Sequence, residues 1–363
     1  MANLDALRIA GPRAIAIGQD AMEDDSDVAS VVAWLVAEVG DGDQRDHAAA
    51  LLGHESEDIR QAAWWGFRLA DVTRVREQLC TMATGPADDV ASAAALDILA
   101  FHRDAAQLDP SSRLHDENDE IAWLLVEAAG RIPGAWRATD LKRALGRSSR
   151  RVKEAALRAS ARCGLRELVA ICQDATDHAT SAEAIEFLGV VGSSGDLERL
   201  QHVATVSRSA ATPVAMANAG VVAMGRLGFV RALPTLLYLL EEPELAETAA
   251  SAIERIVGED VPRGTPSAPP SDMSDDDLDE WEPVAPLDAP RAREWWAERA
   301  PRFDSRRRYQ AGLCVSDDPL GPLFDQLPPA IRNDVYLRQR ALVADTPDWE
   351  LWRFAPDGLS PSR

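Results

Sequence analysis

Apolar and polar residues alternate with a helical period over most of residues 27–258. In the segment that begins at Ile59, apolar or small residues fall at offsets 0, 3, 4, 7 and 8, which places them on one face of a helix. Segments with a similar spacing begin at Val90, Ile121 and Val152, and residues that favour helix starts precede several of them. The pattern therefore predicts a series of short amphipathic helices.

These segments recur at a constant interval. The starts at 59, 90, 121 and 152 are each 31 residues apart, and weaker versions begin near Ala182, Met216 and Ala246. A second predicted helix lies between successive starts. Two helices per repeat, with Ala and Gly at the contacts, are typical of an α-solenoid, because stacked hairpins bury faces that no single hairpin buries alone. We predict an all-α fold, an α-solenoid of helical hairpins, with a generic helical bundle as the alternative.

The repeated sequence resembles HEAT-like repeats. An apolar residue, an Arg and an Ala pair, followed by Leu and Gly, are found best in segments 59–63 and 216–228. The resemblance implies that the helix with this pattern lines the concave face of the array.

A narrower resemblance covers nearly the whole chain. Segments 4–11, 62–69, 252–258 and 295–312 are similar to an uncharacterised proteobacterial family of HEAT-repeat proteins often encoded near type VI secretion genes. The acidic segment that follows residue 258 departs from that family. The resemblance implies a cytoplasmic accessory protein of a secretion locus, and it brings no catalytic residues with it.

Composition divides the chain into four predicted parts. Residues 1–26 are predicted to form an N-terminal helical cap segment, and residues 27–258 form the HEAT-like repeat array. Residues 259–290 are acidic and rich in proline, and such a linker buries too little apolar surface to order itself. Residues 291–363 are the most aromatic part of the chain. They predict either a C-terminal cap over the last repeat, which solenoids require, or a separate binding module.

The chain is strongly acidic, but its charge is unevenly distributed. Its 363 residues contain 60 Asp plus Glu and 38 Lys plus Arg, which gives a formal net charge of -22. That balance argues against general binding to nucleic acid or to an anionic membrane surface, because both need a basic surface. No stretch approaches the roughly 20 apolar residues of a membrane span. Residues 131–166, however, are basic.

The basic band has three interpretations. Its arginines include Arg143, Arg147, Arg150, Arg151 and Arg162. They pair internally with acids of neighbouring repeats, or bind an acidic partner protein, or bind nucleic acid as DNA glycosylases with HEAT-like folds do. Arg rather than Lys favours two-point binding of carboxylate or phosphate groups.

Three tryptophans fall outside the predicted core offsets. Trp64, Trp65 and Trp123 are predicted to face the groove of the array, where exposed Trp and Arg are enriched in binding hot spots. The alternative is that each Trp fills space between adjacent repeats. The candidate partner-binding residues are Arg60, Trp64, Trp65, Arg68, Trp123, Glu127, Lys153 and Arg158.

Catalytic and metal-binding patterns are not found in the sequence. The six histidines lack metal-ligand spacing, and His54-Glu55 is a single pair where the HEAT-like deoxyhypusine hydroxylases use several. We therefore predict no catalytic residues, no metal and no cofactor. The sequence favours a non-catalytic scaffold that binds a secretion component or effector as an adaptor, chaperone or immunity factor. The alternatives are an enzyme on a HEAT scaffold, such as a lyase or metal-dependent hydroxylase, or a nucleic-acid-binding protein.

Overall fold

The structure is a computed structural model that is mainly α-helical. It describes residues 9–21, 25, 27–86, 89–105, 108, 110, 113–114, 118–206, 214–266, 285–315 and 324–343. The predicted all-α class is confirmed over these residues, with a single two-stranded hairpin among them. The acidic stretch 267–284 and the aromatic residues beyond 343 lie outside the described residues, so the predictions for them stay predictions.

Nine helices of the described ranges precede residue 165. They are α1 (Pro12–Ala21), α2 (Val28–Val39), α3 (Gly42–Ala50), α4 (Glu57–Leu69), α5 (Arg76–Ala83), α6 (Val90–Phe101), α7 (Asp119–Ala129), α8 (Ala138–Leu145) and α9 (Arg150–Arg162).

The remaining described elements follow residue 165. They are α10 (Leu168–Asp177), α11 (Ala182–Val191), α12 (Leu197–Val206), α13 (Val214–Leu227), α14 (Leu233–Leu239), α15 (Ala246–Val257), α16 (Ala289–Arg299), β1 (Tyr309–Gln310), β2 (Leu313–Cys314) and α17 (Pro329–Leu342). The two strands pair antiparallel, with Tyr309 opposite Cys314.

Helix starts follow from capping side chains. Asn118 accepts hydrogen bonds from the backbone N–H groups of Glu120 and Ile121, and Ser149 accepts one from Val152. These bonds satisfy N–H groups that have no partner inside the helix. The helices start at 57, 90, 119 and 150, within two residues of the predicted segment starts.

The chain folds into two compact units, one up to Leu165 and one from Arg166. In unit 1, helices α2, α4, α6, α7 and α9 pack against one another in that order, while α3 packs on α5 and α8 on α9. In unit 2, α11 packs on α13 and α13 on α15, with α10, α12 and α14 packed beside them. The unit boundary falls inside the predicted repeat array.

Close contacts between small residues set the helix spacing. A Cβ atom on Gly130, directly after α7, would lie 2.6 Å from the Cα atom of Ala159 in α9. In unit 2, Cβ atoms on Gly189 and Gly225 would meet the backbone of Ala223 and Ala252 in the same way. The prediction of Ala and Gly at the helix contacts is confirmed at these positions.

The described C-terminal elements fold back onto unit 2. Helix α16 packs on α14, β1 packs on α15 and α17 packs on α11. The amide of Ala311 donates to the carbonyl of Arg255. Gly258 permits this approach, because its φ is +77° and a Cβ there would lie 2.4 Å from the Ala311 carbonyl carbon.

Within the described ranges, each helix is too short or too polar to cross a membrane.

Candidate functional site

A fully buried carboxylate, Asp97, lies in the middle of α6. One of its oxygens accepts the indole N–H of Trp64 at 2.9 Å, and the other accepts Nη1 of Arg131 at 3.0 Å. Arg68 Nε lies 3.9 Å from the first oxygen. A buried charge costs stability unless it is paired and hydrogen-bonded, and these three partners supply that compensation.

A second carboxylate, Glu127 of α7, is 4% exposed and is shared by three arginines. Arg158 Nη2 lies 2.9 Å from Oε1, while Arg162 Nη1 and Arg131 Nη1 lie 2.5 Å and 3.2 Å from Oε2. Burial opposes ionisation of Glu127. The charges of Arg162, Arg158, Arg131 and Arg68 outweigh that effect and hold the pKa of this carboxyl well below its usual range.

These two carboxylates and their arginines are called the unit 1 cluster. Its members are Arg68, Asp97, Glu127, Arg131, Arg158 and Arg162. Four guanidinium groups meet these two carboxylates, and Arg158 also lies 3.7 Å from the carboxylate of Glu154. Arg158 is the most exposed residue of the unit 1 cluster, and its side chain is 28% exposed.

Between α4 and α6 the cluster has charged residues at the positions where the α7–α9 contact has small ones. In the register that aligns the helix pairs, Gly130, directly after α7, and Ala159 of α9 correspond to Arg68 and Asp97 of α4 and α6. The Arg68–Asp97 ion pair therefore takes the position of the Gly130–Ala159 contact. Asp97 was not predicted from the sequence. The available signal was a single acidic residue in the otherwise apolar segment VASAAALDILAF.

Aromatic rings surround Arg68. Its guanidinium carbon lies 4.3 Å from the ring centroid of Trp64, 5.3 Å from that of Trp65 and 4.2 Å from that of Phe101. Trp64 also meets Trp123 edge to face, with centroids 5.1 Å apart. Cation–π contacts and indole hydrogen bonding together hold this arginine and Asp97 in fixed positions.

The prediction that Trp64 and Trp123 face an open groove is wrong. Trp64 is 5% exposed and Trp123 is 6% exposed, and the neighbouring Arg68 and Glu127 are also buried. These tryptophans pack as filler between helices, which was the alternative. The repeat phase placed them outside the core of one helix, but it did not show that the neighbouring helix covers that side. Trp65 is half-buried.

The other candidate partner-binding residues lie nearer the surface. Arg60 forms a two-point ion pair with Glu120, at 2.6 Å and 3.1 Å. Arg158 belongs to the unit 1 cluster, and Lys153 is half-buried. Direct contact with a partner therefore stays a prediction for Arg60, Trp65, Lys153 and Arg158.

Most of the basic band pairs with acids of the same unit. The pairs are Arg147 with Asp119 (2.6 Å), Arg150 with Glu154 (2.7 Å), Arg151 with Glu57 (3.2 Å) and Arg162 with Glu127 (2.5 Å). Arg151 also lies over the ring of Trp123, 3.5 Å from its centroid. These contacts correspond to the internal-pairing interpretation. Arg143 is exposed and forms no ion pair with any residue that the structure describes.

A second cluster of arginines and their polar partners, called the unit 2 cluster, was not predicted from the sequence. Its members are Glu186, Arg226, Arg255, Arg308, Gln310, Asp334 and Arg338. Asp334 of α17 lies 2.7 Å from Arg255 Nη2 and 3.7 Å from Arg226 Nε. Arg308 and Arg338 donate to carbonyl groups near the C-terminal ends of α13 and α11. The helix dipole places partial negative charge there.

Burial lowers the pKa of arginines in the unit 2 cluster. The pKa of Arg308 lies well below its ordinary value because of burial first, and then because of the charges of Arg338 and Arg255. Burial also lowers the pKa of Arg338 to about 10. Arg338 therefore remains protonated at neutral pH. The contacts of this cluster hold α17 against helices α11, α13 and α15.

Among the residues that the structure describes, no group of three or more His, Cys, Asp and Glu side chains is arranged to hold a metal ion. The four cysteines, Cys80, Cys163, Cys172 and Cys314, are free thiols.

Models of known protein families do not match the chain, and a search of curated proteins finds no significant match. The resemblance to a type VI secretion-associated HEAT-repeat family therefore stays a prediction.

Proposed function

We propose that this chain is a non-catalytic scaffold that binds another protein. The observation that carries the proposal is the concentration of guanidinium groups in the unit 1 cluster, where four arginines lie around two buried carboxylates. Ion pairs and aromatic rings already fix these groups, so little side-chain freedom is lost when a partner binds. Guanidinium groups held in this way can form two hydrogen bonds with a carboxylate group on a protein surface.

The proposed scaffold is an α-solenoid of HEAT-like hairpins. Two features support this architecture within the units. Successive helices pack in chain order in unit 1, and the Gly–Ala contact recurs at Gly130, Gly189 and Gly225 in one register. Stacked repeats bury their faces through the same contact at each junction.

We further propose that the scaffold works in the cytoplasm as an accessory of a bacterial type VI secretion locus. On this proposal it is an adaptor, a chaperone or an immunity factor, and its partner is a component or effector of that locus. This part of the proposal is supported by the resemblance of segments 62–69 and 252–258 to the HEAT-repeat family often encoded near type VI secretion genes.

The first prediction is that the chain captures a product of the locus through the unit 1 cluster. A tagged wild-type chain is incubated with the purified products of the neighbouring genes, and bound protein is quantified at low and high salt. Binding is expected to fall as salt rises, because opposite charges are screened. Arg158→Gln is expected to reduce the bound fraction at least fivefold, since it removes the most exposed cation of the cluster.

Arg143→Gln is the matched control, because it removes one exposed cation outside the cluster. It is expected to bind like the wild-type chain. A wild-type chain that captures none of the locus products contradicts the proposed function. Equal binding by the Arg158→Gln variant contradicts the role assigned to the unit 1 cluster.

A further inference from the structure

Two ion pairs connect distant helices of unit 1, and both start from the first turn of α4. Arg60 pairs with Glu120 of α7, and Glu57 pairs with Arg151 of α9. The partners are 60 and 94 residues apart in the chain. Helix α6 lies between α4 and α7 in the packing order of the unit. The two pairs therefore join helices that are not neighbours in that order.

The Arg60–Glu120 pair holds its guanidinium group through all three nitrogens. Nε and Nη2 of Arg60 donate to the two carboxylate oxygens of Glu120, at 3.1 Å and 2.6 Å. Nη1 donates to the carbonyl oxygens of His54 and Glu55, at 2.6 Å and 2.9 Å. The two side chains of the pair are only 16% and 17% exposed. Salt screens such a pair weakly, because a partly buried two-point contact is shielded from dissolved ions.

The Glu57–Arg151 pair is more open to solvent. Nη1 of Arg151 donates to Oε1 of Glu57 at 3.2 Å, and the side chains of Glu57 and Arg151 are 55% and 37% exposed. Exposed ion pairs contribute little to stability, and salt weakens them. Dissolved ions are therefore expected to separate this pair before they affect the Arg60–Glu120 pair.

Arg151 also covers an indole ring. Its guanidinium carbon lies 3.5 Å from the centroid of the Trp123 ring. Trp123 is 6% exposed, and Trp64 meets it edge to face. Two attractions hold Arg151 over this ring, namely the cation–π contact and the ion pair with Glu57. Loss of the ion pair leaves only the cation–π contact of these two, which is weak at an exposed site.

We propose that Glu57 and Arg151 form an ionic clasp that opens and closes over Trp123, while the Arg60–Glu120 pair keeps α4 joined to α7. Ions that compete for the charges of Glu57 and Arg151 open the clasp, and the ring of Trp123 then becomes accessible. The clasp thereby makes an aromatic surface available in response to nearby charge. This inference goes beyond the proposed function and does not depend on the identity of a partner.

The second prediction is that salt uncovers Trp123. Quenching of tryptophan fluorescence by acrylamide, which is uncharged, is measured on the full-length chain at about 0.05 M and about 1 M salt. The contribution of Trp123 is the difference between the wild-type chain and Trp123→Phe, with Trp123→Tyr as the replacement if the Phe variant does not fold. The quenching constant of Trp123 is expected to rise about twofold at the higher salt concentration.

Two variants distinguish the clasp from simple packing of Arg151 on the ring. Glu57→Gln keeps Arg151 but removes its carboxylate partner. It is expected to raise the quenching of Trp123 about twofold at low salt and to abolish the response to salt. Arg151→Gln is expected to do the same. Asp58→Asn and Arg150→Gln are the matched controls, because each removes a neighbouring exposed charge, and both are expected to behave like the wild-type chain.

Quenching of Trp123 that is the same at both salt concentrations overturns the proposal. A Glu57→Gln variant in which Trp123 is as shielded as in the wild-type chain also overturns it, because the cation–π contact alone then covers the ring. Neither result bears on capture of a partner through the unit 1 cluster, so the proposed function is tested separately.

Discussion

At the scale of single residues, the unusual feature is a lone buried carboxylate. Asp97 lies in a helix whose other residues are almost all apolar, and it joins Trp64, Arg68 and Arg131. Such a group is tolerated only where partners surround it. The same contacts hold the arginines in place, so one residue links the stability of unit 1 with the surface proposed to bind a partner.

The third prediction concerns this residue. Asp97→Ala is expected to lower the free energy of unfolding by about 3 kcal/mol, because it leaves buried arginines with one carboxylate fewer. Denaturant unfolding followed by circular dichroism measures the change. Asp58→Asn is the control, since Asp58 is exposed at the start of α4 and its loss is expected to cost at most about 0.5 kcal/mol. Equal stability of the two variants would contradict the assigned role of Asp97.

At the scale of helices, periodicity and capping chemistry predicted much of the structure. The starts of α4, α6, α7 and α9 follow from apolar spacing and from caps such as Asn118 and Ser149. Gly and Ala at the contacts were also predicted. Short-range patterns sufficed here because a helix is decided by residues within one or two turns of each other.

The fourth prediction tests the helix contacts. Gly189→Ala places a Cβ 2.3 Å from the carbonyl oxygen of Ala223, so α11 and α13 must move apart. We expect a loss of about 2 kcal/mol in the free energy of unfolding, since overpacking outweighs the better helix propensity of Ala. Gly42→Ala, which meets nothing within 4 Å in α3, is expected to leave stability unchanged or slightly higher. The comparison is made by thermal unfolding, and a Gly189→Ala variant as stable as wild type would refute the close contact.

At the scale of the whole molecule, the ionisation of Glu127 couples the free energy of unfolding to pH. Ionised Glu127 is stabilised in the folded chain by Arg162, Arg158, Arg131 and Arg68, so its pKa there lies below the value of about 4.3 in an unfolded chain. A carboxyl with a lowered folded pKa contributes stability above its unfolded pKa. That contribution is lost as pH falls through the folded pKa.

The fifth prediction follows from the lowered pKa of Glu127 in the folded chain. The free energy of unfolding is expected to stay level through neutral pH and to fall below about pH 4. Glu127→Gln is expected to remove about 3 kcal/mol at pH 7 and to flatten the acid part of the curve. Glu247→Gln, which breaks an exposed pair with Arg263, is the control and is expected to cost at most about 1 kcal/mol. Urea unfolding midpoints between pH 3 and pH 7 provide the measurement. If the Glu127→Gln variant loses as much stability below pH 4 as the wild-type chain does, Glu127 is not the cause of that loss.

The sequence by itself determined the helical class, the helix starts, the small-residue contacts and the uneven charge of this chain. Each depends on neighbours along the chain or on composition. Tertiary structure alone decided that Trp64 and Trp123 are covered, that Arg162 shares Glu127 and that Asp334 reaches Arg255. The physical reason is that one helix specifies which of its residues share a face. The exposure and charge pairing of that face depend on which neighbour covers it, and those neighbours come from residues far away in the chain.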